Sequence, residues 1–202
     1  MASDATRELT GELNPASEGK GPLLQRDYWA VLDDCPFRPR ELIAHVAGNF
    51  CDFPPPELVL FAMPAPGAVL HPGDQLKIDI RGAGRCAVRV VHRDANSFTL
   101  LTLKEHPEAG RITFGAYPSA EGDVIFHIRS RARASSSLRY AEFVALGDAM
   151  QISTWTEFIN RLAAATGSRI RGEIHVESEE VEGTDADSFA RLHEPTYLAR
   201  GD

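Results

Sequence analysis

The 202-residue chain has the length and composition of one globular domain with a sizeable core, since 43% of its residues are hydrophobic and 25% are charged. Its formal net charge is -8 and its pI is near 5.4. This acidic balance argues against general nucleic-acid binding, which needs a basic surface to displace counterions from phosphates.

We expect a cytoplasmic protein without a membrane span. The first 21 residues contain no apolar run of the kind found in secretory signals. The apolar stretch 57–70 contains two prolines and is too short to cross a bilayer. The three cysteines are far apart and form no C-x-x-C pair, which is typical of reduced thiols.

The amino-terminal third predicts a leader, a strand and a helix. Residues 1–24 are polar without periodicity and indicate a flexible leader. Asp27–Asp33 alternates weakly, as a strand does. Pro39 then suits the first turn of a helix, and apolar residues follow at helical spacing, so we predict a short amphipathic helix over Pro39–Asn49.

The middle of the chain predicts a meander of antiparallel strands. Apolar and polar residues alternate with a period of two, and glycine, proline and asparagine mark the turns. The clearest part is Ser97–Ala132, which contains three strands. With the first strand the count is about seven, the others being centred on Leu58–Ala62, Leu76–Arg81, Arg85–His92, Phe98–Leu103, Arg111–Tyr117 and Phe126–Arg131.

The carboxy-terminal third predicts one long helix over Leu138–Thr166, which Gly167 ends as a C′ residue. One face carries an apolar stripe with a single polar member, namely Val144, Gln151, Trp155, Phe158, Ile159, Leu162 and Ala165. Beyond it, Arg169–Val176 suits an edge strand, and the acidic run Glu177–Asp187 suits a solvated, mobile segment. We therefore divide the chain into a leader 1–24, a single domain 25–167 and an acidic, partly mobile extension 168–202.

This order of elements predicts an α+β fold in which a curved antiparallel sheet of about seven strands wraps around a long carboxy-terminal helix. It resembles the helix-grip fold of the START and birch-pollen-allergen-like superfamily. That resemblance implies a helix closing the sheet, often over a cavity.

A closer resemblance lies in the central turn. The segment Thr102–Gly110, T-L-x-x-H-P-x-x-G, followed by Phe114, is similar to the pattern Y-G-T-L-x-x-H-P-x-x-G-E-E-x-F of the domain-of-unknown-function family DUF1990. Leu100–Leu101 replaces the Tyr-Gly pair, and Arg111–Ile112 replaces the two acids. The resemblance implies a family but transfers no catalytic residue.

His106 and Glu108 lie in that turn and have two interpretations. At a cavity mouth, His106 suits an acid/base or ligand-contact group that Glu108 orients, and Tyr117 is a further candidate acid/base group. Alternatively, Pro107 fixes the turn, Gly110 supplies a positive φ and His106 caps a backbone group. The sequence favours the second interpretation.

Other polar residues give weaker signals. Arg129, Arg131 and Arg133 share one strand face, which suits either an anion site or a solvated convex face. Because Phe126, Ile128 and Ser130 must face the core, the solvated face is favoured. The seven histidines show no ligand spacing, and no nucleotide-binding or serine-hydrolase motif is present, so we predict no metal and no cofactor.

Three functional hypotheses follow. The preferred one is a module that binds a small apolar or amphipathic molecule between sheet and helix. Its candidate contacts are aromatic, namely Trp29, Phe98, Phe114, Tyr117, Phe126, Trp155 and Phe158, although such rings are more often plain core. The alternatives are an enzyme that uses His106, Glu108 or Tyr117 at the same cavity, and an interaction protein with a filled core.

Overall fold

A computed structural model describes residues 11–136 and 148–181. The first part of the predicted long helix, including Val144 and Gly147, lies outside the described residues, as do the leader residues 1–10 and the end of the acidic run. The strands are β1 Lys20–Asp33, β2 Val59–Ala62, β3 Gln75–Ile80, β4 Gly84–Arg93, β5 Ser97–Thr102, β6 Glu108–Pro118, β7 Val124–Ala134 and β8 Arg169–Val181. The helices are α1 Pro39–Gly48 and α2 Asp148–Thr166.

These strands form one antiparallel sheet in the order β2-β3-β4-β5-β6-β7-β1-β8. Strands β2 to β7 follow the chain as a meander; residues 63–74 join β2 to β3, and short turns join the later strands. Strand β1 then lies between β7 and β8, so the beginning and the end of the domain meet in the sheet. The prediction of an α+β fold with a curved antiparallel sheet is confirmed, with eight strands in the described residues instead of about seven.

The prediction that residues 1–24 form a flexible leader is wrong for the second half of this segment. Strand β1 begins at Lys20, before the domain boundary expected at Gln25. Asn14, Ala16 and Leu23 are buried, and the Asn14 N–H donates to the Thr102 carbonyl at 2.8 Å. The polar composition predicted flexibility because the segment has no periodic apolar face to bury. The segment is ordered instead by hydrogen bonds between its backbone groups and β5.

The acidic run also begins inside the sheet. Strand β8 continues to Val181, so the expectation of a mobile segment is wrong for residues 177–181. Glu177 pairs with Asp27 in the register, and the Glu179 carboxylate accepts a hydrogen bond from Gln25 Nε2 at 2.9 Å. Backbone pairing with β1 holds these carboxylates in a strand whose side chains stay exposed.

An aromatic cluster holds α2 against the inner face of the sheet. Phe158 lies at its centre and is fully buried. Its ring centroid lies 5.4 Å from that of Phe114 on β6 and 6.0 Å from that of Phe126 on β7. Phe50, which follows α1, is 5.6 Å away. Both helices therefore share one core with the sheet.

The predicted stripe of α2 is largely confirmed. Trp155, Phe158, Ile159 and Leu162 are buried against the core. The prediction that Ala165 belongs to the buried stripe was wrong, because Ala165 is exposed and Ala163 is buried. Gly167 has φ of +72° and ends the helix as expected. The described helix has 19 residues, and its arrangement on the sheet is helix-grip-like.

The outer face of the sheet differs from prediction. Arg129 and Arg131 lie on it, as strand parity requires, but they are only partly exposed. Arg129 Nε donates to Asp27 Oδ1 at 2.7 Å, and Arg131 Nε donates to the Gln25 side-chain oxygen at 2.6 Å. Strand alternation predicts which residues share a face, but it does not predict whether that face is covered.

Asp27 and His127 form a buried pair on this outer face. The two side chains approach at 2.6 Å, between His127 Nε2 and Asp27 Oδ1. Burial acts to raise the pKa of Asp27, but the hydrogen bonds and charges of His127 and Arg129 outweigh it and lower this pKa. Burial lowers the pKa of His127 despite the Asp27 carboxylate. The pair is therefore a neutral imidazole beside a carboxylate.

We predict that Phe158→Ala lowers the free energy of unfolding by about 3–5 kcal/mol, because the fully buried ring leaves a cavity in the aromatic cluster. Urea denaturation followed by circular dichroism measures the change. Ile152→Ala, on the same helix with 40% of the side chain exposed, serves as control and should cost about 0.5 kcal/mol. Equal midpoints for the two variants would contradict the packing described above.

A second prediction concerns acid. The unfolded chain protonates His127 near its ordinary pKa of 6.5, whereas the folded protein keeps the ring neutral to lower pH. Lowering the pH from 7 to 5 should therefore reduce stability, with a limiting slope of about 1.4 kcal/mol per pH unit for one proton. His127→Gln keeps an amide donor for Asp27 but cannot titrate. Its stability should fall less steeply over this range, and identical slopes would show that His127 does not contribute.

Candidate functional site

A pocket of ≈ 400 Å³ lies between the inner face of the sheet and the first turns of α2. Further along α2, Phe158 and its aromatic partners fill the space between helix and sheet, so the pocket is confined to the first turns of the helix. Its walls come from strands β2 to β7, the turn before β6 and the start of α2. One half of this lining is aliphatic and aromatic, and the other half is polar.

The apolar half comes from the β2–β5 end of the sheet. Alternation along the strands places every second side chain on this face. The residues that share it are Val59, Phe61, Ile78, Ile80, Val88 and Leu100. None of these six carries a polar side-chain atom, so this half suits an apolar group, although Arg81 of the β3–β4 turn also lines the pocket.

The polar half contains a chain of hydrogen bonds between α2 and β6. The Trp155 indole N–H donates to the Gln151 side-chain oxygen at 2.5 Å. The Gln151 amide then donates to Glu108 Oε2 at 3.0 Å. Gln151 was the polar member of the predicted apolar stripe, and this contact explains its position. Each donor of this chain points towards the Glu108 carboxylate.

His106 has the capping role that the sequence favoured. The Glu108 backbone N–H donates to His106 Nδ1 at 3.0 Å, and the side chain is 8% exposed. Gly110 has φ of +155°, and a Cβ there would lie 2.2 Å from the Arg131 carbonyl oxygen, so no other residue fits. The turn is therefore fixed by its own bonds, and it also lines the pocket.

Ser130 is one of the site residues that sequence reasoning missed. It faces inward on β7 as predicted, opposite Ile112 on β6 and Arg26 on β1. The residue is 6% exposed, lines the pocket, and its hydroxyl has no hydrogen-bond partner in the described residues. A hydroxyl among the inward positions of a core strand was the available signal. Thr154 on α2 is buried and lines the same half.

The structure separates the predicted site residues into three groups. Trp155, His106 and Glu108 line the pocket. A second group belongs to the packed aromatic core and does not line it, namely Phe98, Phe114, Phe126 and Phe158. The third group, Trp29 and Tyr117, lies on the outer face, where Trp29 stacks on His175 with centroids 4.8 Å apart.

Tyr117 is therefore not brought together with His106 and Glu108. It pairs with Ile125 in the sheet, and strand alternation places it on the face opposite Ala116, which belongs to the core. Burial raises the pKa of Tyr117 to about 12, and the charge of Asp94 adds to this effect. A phenol with such a pKa stays protonated at neutral pH, so Tyr117 is a poor acid/base group.

The described ranges contain neither a metal-binding cluster nor a membrane-spanning helix. No group of three or more His, Cys, Asp or Glu side chains within residues 11–136 and 148–181 has an arrangement that could hold a metal ion. No helix in these ranges is both long and apolar enough to cross a membrane.

Several solved structures are similar to this chain at low sequence identity. A hypothetical protein from Helicobacter pylori is 8% identical with a TM-score of 0.50, and the match covers 69% of this chain and 86% of that one. A protein from Mycobacterium smegmatis is 13% identical with a TM-score of 0.47, covering 70% and 89%. Major latex-like protein 151 from Panax ginseng is 14% identical with a TM-score of 0.44, covering 72% and 99%.

Sequence comparison identifies the family. No curated protein matches the chain. The model of a domain of unknown function, DUF1990, matches residues 39–159, which is more than half of the 202 residues. This match includes α1, the meander and the start of α2, and therefore all the lining of the pocket. The chain belongs to the DUF1990 family.

Proposed function

We propose that this protein binds a small amphipathic molecule in the pocket between the sheet and α2. The observation that carries the proposal is the division of the lining into an apolar half on β2–β5 and a polar half around Glu108, Gln151 and Ser130. A ligand with one apolar and one polar end would match both halves at once.

The apolar half would supply most of the affinity. Binding pockets for small molecules have volumes of about 300–1,000 Å³ and are lined mainly by apolar side chains, and ≈ 400 Å³ lies in this range. Covering about 200 Å² of apolar ligand surface would contribute about 5 kcal/mol at 25 cal/mol per Å². Part of this gain offsets the lost freedom of the ligand, so the apolar half alone would give at best submillimolar affinity, since a Kd of about 1 mM already corresponds to about 4 kcal/mol.

The polar half would set the orientation of the ligand. Glu108 and Gln151 hold each other across the gap between β6 and α2, so their positions are defined before any ligand arrives. Ser130 has a buried hydroxyl with no hydrogen-bond partner among residues 11–136 and 148–181, and a ligand or water could supply one. Preformed polar groups of this kind cost little to organise when the ligand binds.

Binding is favoured over catalysis because the candidate acid/base groups already have structural roles. His106 Nδ1 accepts the Glu108 backbone N–H, and the Glu108 carboxylate accepts the Gln151 amide. A residue that moves protons needs its reactive atom directed at the substrate. The alternative function is an enzyme on this scaffold, in which His106 would be the titratable group nearest to a ligand in the pocket.

We predict that the neutral dye N-phenyl-1-naphthylamine binds the pocket with an increase in fluorescence, and that Val88→Phe lowers its affinity at least about tenfold. Val88 lines the apolar half and is 4% exposed, so the added ring would occupy space that the dye needs. A fluorescence titration gives the Kd of each variant.

Ile152→Phe provides the matched control, because it adds the same ring at a position on α2 that is 40% exposed. Its dye affinity should stay within about twofold of the original. Urea denaturation checks that both variants are folded. A folded Val88→Phe that binds the dye unchanged would place the dye elsewhere and remove the support for this site.

A further inference from the structure

We infer that the molecule bound in this pocket carries a carboxylate, and that Arg81 binds this group where the pocket meets solvent. This inference rests on the proposed binding function and deepens it, because it names the chemical class of one end of the ligand. It depends on the place of Arg81 in the fold, on the partners of its guanidinium group, and on the order of charged and apolar residues across the sheet.

The pocket meets solvent at the turn between β3 and β4. Arg81, Gly82 and Ala83 form this turn, and all three line the pocket. Arg81 and Gly82 are exposed, and a Cβ placed on Gly82 would meet no described residue within 4 Å apart from its chain neighbours. The turn is held in place, since the Arg81 N–H donates to the Leu58 carbonyl at 3.0 Å. Arg81 therefore lies at the mouth of the pocket on a fixed backbone.

The guanidinium group of Arg81 is largely unused by the protein. Its Nη1 lies 3.4 Å from the Glu57 backbone carbonyl, which is a long hydrogen bond. In the part of the chain that the structure describes, no carboxylate forms an ion pair with Arg81. Asp79, the nearest acid along the chain, alternates with the lining residues Ile78 and Ile80 and so lies on the outer face. Arginine has five N–H donors, and most of those of Arg81 are left for a ligand.

A single guanidinium group suits a carboxylate better than other polar groups. Its planar N–H groups can donate two parallel hydrogen bonds to the two carboxylate oxygens. One positive charge balances one negative charge, whereas a phosphate monoester would bring nearly two. An ammonium group would be repelled, and a hydroxyl would gain only a weaker, neutral hydrogen bond.

The apolar half of the pocket begins directly at this turn. Ile80 precedes Arg81, and Val59 of β2 lies opposite Ile80 in the register. Val88 of β4 lies opposite Leu76, which is about 17 Å from Arg81 at about 3.4 Å per residue. A carboxylate at Arg81 would therefore leave the apolar part of the ligand in contact with this half.

Glu108 lies too far from Arg81 to cancel its charge. It begins β6, and two strands separate β6 from β3 in the sheet. At about 4.8 Å between neighbouring strands, the two backbones are about 14 Å apart, which exceeds the Debye length of about 8 Å at physiological ionic strength. Arg111, the other arginine of the lining, also lies on β6, and both it and Glu108 are engaged by other groups. The carboxylate of the ligand and the polar half of the pocket are therefore on opposite sides of the apolar half.

Three probes with the same alkyl chain test the inference, namely octanoate, octanol and octylammonium. Each competes with N-phenyl-1-naphthylamine in a displacement titration at neutral pH and low salt. We expect octanoate to bind about fivefold more tightly than octanol, which is the upper range for an ion pair that stays partly exposed to water. Octylammonium should bind more weakly than octanol. Added salt should reduce the preference for octanoate, because it screens the ion pair.

Two variants connect the preference to the named side chain. Arg81→Gln removes the charge at an exposed position and should bind octanoate and octanol with affinities within about twofold of each other. Arg85→Gln is the matched control, because Arg85 is exposed in the same hairpin but lies opposite Asp79 and does not line the pocket. It should keep the fivefold preference. Circular dichroism checks that both variants are folded.

The outcomes separate the two proposals. If octanol displaces the dye and octanoate binds no more tightly, the carboxylate inference is wrong and the binding function stands. A preference for octanoate that persists in Arg81→Gln, or that Arg85→Gln removes to the same extent, would overturn the role of Arg81 in the same way. If neither the dye nor any of the three probes binds the folded protein, both proposals fail.

Discussion

The packing of one helix across the inner face of the sheet is the interaction on which the rest of this structure depends. Phe158 contacts rings from β6, β7 and the segment after α1, so one side chain joins three parts of the chain. An antiparallel sheet with one apolar face cannot be stable until that face is covered. Because aromatic rings bury large areas, a few of them on α2 cover most of this face.

The same helix has two different ends, and their difference produces the candidate site. From Phe158 onward its buried side chains are apolar and fill the core. One turn earlier, Trp155 directs its indole nitrogen to Gln151, and Gln151 reaches Glu108 on β6. Hydrogen bonds therefore replace close packing at this end, and space remains between helix and sheet.

Strand β1 constrains the opposite side of the fold. It pairs with β7 and β8 along nearly its whole length and is buried over most of it. Asp27 of β1 accepts hydrogen bonds from two residues of β7 on the outer face, while Tyr28 and Leu32 belong to the inner core. The sheet is thus stabilised by charge on one face and by apolar packing on the other.

Sequence alone predicted the parts of this fold that depend on local pattern. The period of two located the meander, and the spacing of Trp155, Phe158 and Leu162 located the buried face of α2. The boundaries at Lys20 and Val181 were missed, because these residues enter the sheet through backbone pairing and not through apolar periodicity.

The candidate site was predicted only in part. His106 and Glu108 were identified because they lie together in a turn, and Trp155 because it is a large ring in the stripe. Phe98, Phe114 and Phe126 also face inward, but the sequence cannot show which inward positions are packed and which border a space. Ser130 and Gln151 were missed as site residues for the same reason, since their meaning depends on contacts between distant segments.

Nuclear magnetic resonance tests most directly whether the open space between sheet and α2 is the binding site. An amide-resolved titration of the isotope-labelled protein with N-phenyl-1-naphthylamine would map every perturbed backbone amide. We predict that the largest shifts fall on lining residues of β3, β4 and β6 and on Gln151 to Trp155 of α2. Shifts concentrated on the outer face around Trp29 and His127, with the lining unchanged, would contradict the account.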